Sequence, residues 1–300
     1  MRVCGLESGA VGIVQGTVPF SGCAGGGVGR NPDDAAGTRA ASGPRGMTQD
    51  ETPFMLEPGL FAEKRLGLTP DAKQAELLRG NLKRVLLNCS RQWGKSTITA
   101  ALAVHRAVYE EDSLTVVLSP TLRQSGEFLR KAAAFMRKLG MRVRGDGDNA
   151  VSLLLPNQSR IVGLPGTEAT VRGFSKVSLM VIDEASRVPD DLFNAVRPML
   201  AVGDGDMLVM STPFGQRGFF WEQWTHNARM WERISVPATE CPRISARFLE
   251  DERTMMGDRW FRQEYLCEFV DVNDSLFDRE LLESAIDYSV APLVFPSRRW

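Results

Sequence analysis

Val85-Leu86-Leu87-Asn88-Cys89-Ser90-Arg91-Gln92-Trp93-Gly94-Lys95-Ser96-Thr97 passes from an apolar stretch through a short polar loop into Gly-Lys-Ser. Ile98-Thr99-Ala100-Ala101-Leu102-Ala103-Val104 then continues with helical character. Strand, tight loop, Gly-Lys-Ser and helix form the layout of a phosphate-binding P-loop. Backbone N–H groups of such a loop and of the helix start point at phosphates, and the helix dipole favours their negative charge. Lys95 would reach the β- and γ-phosphates of ATP, and the Ser96 hydroxyl would sit on Mg²⁺. Ser90, Arg91, Gln92, Trp93, Gly94, Lys95, Ser96 and Thr97 are therefore the expected nucleotide-binding loop. Alone, Gly-Lys-Ser also fits an ordinary turn between strand and helix. A strict Gly-x4-Gly-Lys-Ser/Thr pattern fails because Cys89 stands where the first Gly belongs. The rest of the chain has to decide.

Three hundred residues suit one large α/β domain or two small ones. Hydrophobic residues make up 43% and charged residues 24%, the balance of a globular protein with ample material for a core. A net charge of −1 gives no global basic field, so any nucleic-acid contact has to be a local basic surface. The five cysteines are scattered, with no Cys-x-x-Cys pair, which argues for a reducing compartment and against zinc or disulfides. His105 and His226 lack metal-ligand spacing. No stretch approaches the ~20 apolar residues of a membrane span.

Residues 1–46 hold 12 of the 28 glycines and a single aromatic, Phe20. Such a stretch cannot offset its ordering entropy, and glycine breaks every candidate signal-peptide core. It is expected to be a disordered or mis-annotated extension, with Met47 a plausible true start. Residues 47–270 alternate apolar strands with amphipathic helices. Strands are expected at Val85–Leu87, Leu114–Leu118, Leu179–Ile182 and Met207–Met210, and helices over Lys95–Tyr109 and from Phe128 to Leu139. Ser152–Leu155 and Arg160–Leu164 read as a hairpin. Continuous apolar runs separated by helices predict an α/β fold with a mainly parallel central sheet flanked by helices. Residues 271–300 read as a linker.

Asp183 and Glu184 close the third of these strands, where ligands bind in open α/β sheets. ATP hydrolysis needs one carboxylate there to hold Mg²⁺ and another to activate water. Asp183 fits the metal role and Glu184 the base. An acidic cap at a strand-to-helix turn is the plainer alternative. Ser211-Thr212-Pro213 ends the fourth strand, where hydroxyls could sense the γ-phosphate; a simple Pro-Gly turn is the alternative. Gln74 lies on a short helix ahead of the loop, and its amide can both donate to and accept from the edge of adenine. Arg91 in the loop and Arg172 before the acidic strand could stabilise transition-state charge. A salt-bridging surface role is the alternative for Arg172. The basic face of Arg123, Arg130, Lys131, Arg137 and Lys138 reads as solvated, and Phe219, Phe220, Trp221 and Trp224 as the core side of a short helix.

The Ser90-Arg91-Gln92-x-Gly94-Lys95-Ser96 loop resembles the variant P-loop of the large terminase subunit, the ATPase that packages DNA into tailed-phage and herpesvirus capsids. The resemblance runs from about Pro70 to about Val270. It takes in the Gln74 motif, the loop, the acidic strand and the Ser-Thr-Pro coupling motif in the family's order. Trp260–Phe269 also looks like the end of that ATPase domain. Terminases carry an Arg in the P-loop and an Arg-Gly before the acidic strand, matching Arg91 and Arg172-Gly173. The latter is in that family a candidate finger for a neighbouring subunit's nucleotide. The resemblance implies a terminase/helicase-like P-loop NTPase of the ASCE arrangement that uses ATP and Mg²⁺. Lys95, Glu184, Arg91 and Arg172 would be catalytic, and Ser211, Thr212 and Pro213 the coupling residues. It further implies double-stranded DNA, a small terminase subunit, a portal on the procapsid and a homo-oligomeric ring as partners, no membrane, and the bacterial host's cytoplasm as location. Complete terminases continue into a nuclease domain where this chain ends, so nuclease activity is expected to be absent. A helicase-like DNA-dependent ATPase and a non-catalytic prophage remnant are the rival readings.

Overall fold

Four of the seven strands among the described residues are the continuous apolar runs of the sequence, and they form the middle of one sheet. The computed structural model describes residues 50–80, 83–149, 151–166, 173–270 and 284–286, within one compact unit, Pro44–Trp300. Arg172, the expected N-terminal extension and nearly all of the expected linker lie outside the described residues.

Helices α1 (Thr52–Leu56), α2 (Pro58–Lys64) and α3 (Ala72–Arg79) precede β1 (Arg84–Cys89), which leads into α4 (Lys95–Tyr109). Then come β2 (Leu114–Ser119), α5 (Leu122–Lys138), β3 (Ser152–Leu154), β4 (Arg160–Pro165) and β5 (Leu179–Asp183). The chain continues through α6 (Asp190–Val196), β6 (Asp206–Ser211), α7 (Gly218–Thr225), β7 (Glu232–Val236), α8 (Ala246–Met256) and α9 (Asp258–Tyr265). The sheet order is β3-β4-β2-β5-β6-β1-β7, parallel throughout except for the β3–β4 hairpin. β6 therefore stands between β1 and β5, and all three deliver their loops to the same carboxyl edge.

The runs are continuous because both faces are covered. Val85, Leu87 and Cys89 pack with Val181, Leu208 and Met210 against α4, α5 and the α2–α3 pair. Leu86, Met180, Ile182 and Val209 point the other way, to α6 and α7. Phe193 of α6 stacks on Phe219 of α7 at 4.2 Å between ring centroids, and Phe220 is fully buried. Trp221 and Trp224 are half-buried. α3 and α5 start on side-chain caps, Asp71 with Gln74 in a capping box and Thr121 accepting from the Gln124 N–H. α8 and α9 pack on each other through Leu249, Phe261 and Tyr265, beside β7. The chain leaving α9 puts Cys267 next to β1, where its carbonyl accepts from Asn88 Nδ2 at 2.8 Å.

Candidate functional site

The loop after β1 is held from two sides and left open on the third. Ser90 N–H donates to Val236 O of β7 at 3.0 Å, and Arg91 N–H to Glu264 O of α9 at 3.4 Å. Gln92 and Gly94 both take left-handed backbone, φ 63° and φ 96°. At Gly94 a Cβ would sit 3.2 Å from Gln74 Nε2, in a conformation L side chains rarely adopt, so glycine is required there. α4 begins directly after Gly94 with no side-chain cap. The Lys95 and Ser96 N–H groups precede the first bonds of the helix, which Thr97 and Ile98 donate to Gly94 O, and such an end receives an anion. Ser90 Oγ is buried with no hydrogen-bond partner among the described residues, a second sign that the loop fits a group supplied from outside. Trp93 is also fully buried, its ring packed beneath the loop and its Nε1 likewise without a partner among the described residues.

Two acidic residues meet this loop from β5. Asp183, 6% exposed, accepts from Ser96 Oγ at 3.2 Å and from the Glu184 N–H at 2.9 Å. Glu184 adopts φ 53°, ψ 43°, a conformation that costs a non-glycine residue about 1–3 kcal/mol and clusters at functional sites. It places Glu184 Oε1 2.9 Å from Lys95 Nζ. Burial pushes the Asp183 carboxyl above its ordinary range, and the Glu184 charge adds to this; Lys95 and the Ser96 hydrogen bond pull back without cancelling it. For Lys95, burial opposes the charged form, yet its surroundings outweigh it and raise the ammonium pKa. Cys89 is itself pushed up to about 12 by burial and stays a neutral thiol. The neighbouring Glu184, 2.9 Å away, and Asp183 are the other groups that favour the charged form of Lys95. A divalent cation beside Ser96 Oγ and Asp183 Oδ2 would relieve the strain on Asp183. Among the described residues no three His, Cys, Asp or Glu side chains gather into a metal cage. Two protein oxygens suit Mg²⁺, which completes its shell with water and substrate phosphate.

Ser211 and Thr212 reach the acidic turn through Ser186, a residue absent from the sequence reading. Ser186 N–H donates to Ser211 Oγ at 3.1 Å, the two hydroxyls lie 2.7 Å apart, and Ser186 Oγ donates to Thr212 O at 2.9 Å. The ends of β5 and β6 are thus stitched together two residues beyond Glu184. Pro213 is buried and turns the chain toward Gly215, whose N–H donates to Gln263 Oε1 at 3.3 Å.

Gln74 is engaged on both sides. Its carbonyl accepts from Asp71 N–H at 3.2 Å and its amide donates to Trp93 O at 3.0 Å. One N–H and one lone pair remain, at the wall of a cavity of about 240 Å³. Leu68, Thr69, Gly94, Thr97 and Ile98 also line it. Arg243, likewise missed from sequence, closes this cavity and ties Asp71 Oδ2 to Trp93 O. Arg91 pairs with Glu264, a residue 7% exposed. The hydrogen bond that Arg91 donates to Glu264 is the main reason the Arg91 pKa rises. Of the four expected catalytic residues, the structure brings Lys95 and Glu184 together, sets Arg91 aside on Glu264, and leaves Arg172 undescribed.

A mainly parallel sheet with an uncapped Gly-Lys-Ser helix start and an acidic pair on the next-but-one strand defines a P-loop nucleotide-hydrolase fold. Comparison with known proteins narrows this. The profile of the family described as "Terminase large subunit, T4likevirus-type, N-terminal" matches residues 86–284. The large terminase subunit of Thermus phage G20c is 25% identical over 248 residues, covering 71% of this chain and 51% of that protein. The large terminase ATPase domain of Thermus phage P74-26 superposes with a TM-score of 0.64 at 23% identity, over 72% of this chain and all of that one. The large terminase of another thermophilic bacteriophage, in complex with ADP, gives 0.56 at 13% identity, over 66% of this chain and 53% of that one. The chain belongs to the large terminase subunit family, and its described part has the fold of that family's ATPase domain. It spans about half the length of the curated relatives it matches.

Proposed function

We propose that this chain hydrolyses Mg-ATP and that hydrolysis drives double-stranded DNA into a procapsid. The observation that carries the reading is the paired contact Lys95–Glu184 and Ser96–Asp183 beneath an uncapped helix start. The ADP complex of the thermophilic-phage terminase supports it. Of the Ser90–Thr97 loop, the backbone N–H groups between Gln92 and Ser96 hold the phosphates, with Lys95 on the β- and γ-phosphates. Gln74 offers its remaining N–H and lone pair to adenine. Ser96 and Asp183 hold Mg²⁺, which neutralises charge on the phosphate oxygens when bound. Glu184 accepts a proton from water as the water oxygen bonds to the γ-phosphorus and the bond to the leaving ADP oxygen breaks. Lys95 leaves Glu184 for the phosphates as ATP enters, which frees the carboxylate to act as base. Arg91 joins the phosphates by exchanging Glu264 for them. Ser211, Thr212 and Pro213 carry the phosphate state onward through Ser186. In the host cytoplasm the chain works in a homo-oligomeric ring with a portal and a small terminase subunit. Phosphate release by the pure chain, measured with and without duplex DNA, tests this. No turnover under either condition would refute the catalytic reading.

Arg172 is proposed to act on the neighbouring subunit's nucleotide. Each subunit alone then lacks one transition-state charge, so turnover per subunit should rise with protein concentration. Mixing Arg172→Ala with Glu184→Gln protein should restore part of the activity, because a Glu184-intact site borrows its neighbour's arginine. Concentration-independent turnover with no rescue would place Arg172 in its own site or on the surface.

A further inference from the structure

The two segments that leave the acidic pair and the coupling motif meet again at the surface, around Phe214. Arg187 closes the turn that starts at Glu184, its N–H donating to Glu184 O at 2.9 Å. Arg217 lies just beyond Ser211-Thr212-Pro213, at the start of α7. The Arg187 guanidinium carbon lies 4.1 Å from the Phe214 ring centroid and that of Arg217 lies 4.9 Å from it. The two positive groups are therefore no farther apart than those distances combined. Both arginines are exposed and Phe214 is half-buried.

Among the described residues neither arginine is in an ion pair. Asp190, beside α7, does not serve them; its Oδ1 accepts the Phe219 N–H at 2.6 Å. The ring orders both guanidiniums in advance, so an anion that bridges them would not have to organise two long side chains. Both guanidiniums are open to an anion from solvent.

We propose that Arg187 and Arg217, presented on Phe214, grip successive phosphates of duplex DNA. This rests on the packaging function proposed above. Cations on phosphates carry no sequence information, which suits a motor that must move any sequence. A chain of net charge −1 has no general attraction for DNA, so its grip has to be local. Arg187 stands at the end of the Glu184 turn, and Ser186 beside it is bonded to Ser211 and Thr212. Phosphate contact would therefore bear on the general base and the coupling motif together, and DNA should stimulate hydrolysis through this pair.

The test uses the whole chain as wild type, Arg187→Ala/Arg217→Ala and Phe214→Leu. Binding to a labelled mixed-sequence duplex is read by fluorescence anisotropy across a salt series, alongside phosphate release with and without DNA. The double variant should lose about one unit of log K against log salt slope per arginine. It should keep its DNA-free turnover and lose the stimulation by DNA. Phe214→Leu, which keeps both charges and removes the ring, should fall between the two. An unchanged salt slope, or a wild type that binds no duplex, would overturn the proposal. So would unchanged DNA binding with a concentration-dependent loss of turnover, which would assign the pair to a neighbour's nucleotide. A wild type that binds DNA with the expected slope but never hydrolyses ATP would instead sink the catalytic reading and leave this contact standing.

Discussion

Lys95→Ala should bring Mg-ATP hydrolysis below detection, a loss on the order of 10²–10³ or more, by comparison with removing one preorganised donor from a developing negative charge. The expected loss is at the upper end because Lys95 is a full charge, only 12% exposed, and lies within the acidic pair. The fold should survive. Lys95 is the first residue of α4, where alanine is a good helix former, and no core contact is removed. Stability should nevertheless become pH-dependent in a defined direction. Asp183 is already pushed up by burial, and Lys95 is the main group opposing that shift. Without it the folded-state pKa rises further, while the unfolded value stays ordinary. A carboxyl raised in the folded state costs nothing below its unfolded pKa and costs increasingly as pH climbs toward the folded value. The variant's melting temperature should thus fall below wild type at pH 7, and the gap should narrow toward the unfolded carboxyl pKa of about 4. Circular dichroism melts and a phosphate-release assay read both effects. Undiminished turnover would remove the P-loop assignment.

What the sequence disclosed depends on how far apart the cooperating residues lie. β2, β5 and β6 stood out as apolar runs because each is covered on both faces. β1 was under-drawn as Val85–Leu87, since Arg84, Asn88 and Cys89 extend it with residues whose strand role comes from pairing to β6 and β7. β7 escaped altogether. Glu232-Arg233-Ile234-Ser235-Val236 is an edge strand with two buried side chains, too short an alternation to weigh without its partner. The hairpin was placed correctly, apart from one residue at Leu155 and one at Pro165.

In the site, Lys95 and Ser96 stood out because Gly-Lys-Ser opens a helix shortly after a buried strand, and Asp183 and Glu184 because they close one. Their meeting is a consequence of β6 lying between β1 and β5. Arg91 was legible as a residue but not in its setting, because its partner Glu264 is 173 positions away. Ser186 offered only a serine near an acidic pair; its significance appears when β5 and β6 lie side by side. Gln74 carried a local signal that went unread. Asp71-x-x-Gln74 is a helix capping pattern, and it accounts for half of that amide's hydrogen bonding.

Glu184→Gln and Asp183→Asn should fail in different ways, though both stop hydrolysis. The Glu184→Gln amide would keep the shape and lose the base, so turnover should drop by roughly 10²–10⁴. Nucleotide binding should hold or tighten. Lys95 must leave Glu184 before it can meet a phosphate, and the amide removes that competing carboxylate 2.9 Å away. Asp183→Asn acts on the metal instead. The buried carboxylate accepts both the Ser96 hydroxyl and the Glu184 N–H, and an amide retains one oxygen for them while bringing N–H groups toward the cation. Affinity should therefore fall when Mg²⁺ is present and change little when it is chelated. Titrating a fluorescent ATP analogue with Mg²⁺ and then with EDTA separates the two. Glu184→Gln should match or exceed wild type with Mg²⁺, while Asp183→Asn should fall to the level wild type shows in EDTA. Equal loss of Mg²⁺-dependent binding in both variants would mean that the carboxylates share the metal. Glu184 would then be a ligand whose left-handed backbone serves coordination, and the proton acceptor would have to be sought elsewhere on the carboxyl edge of the sheet.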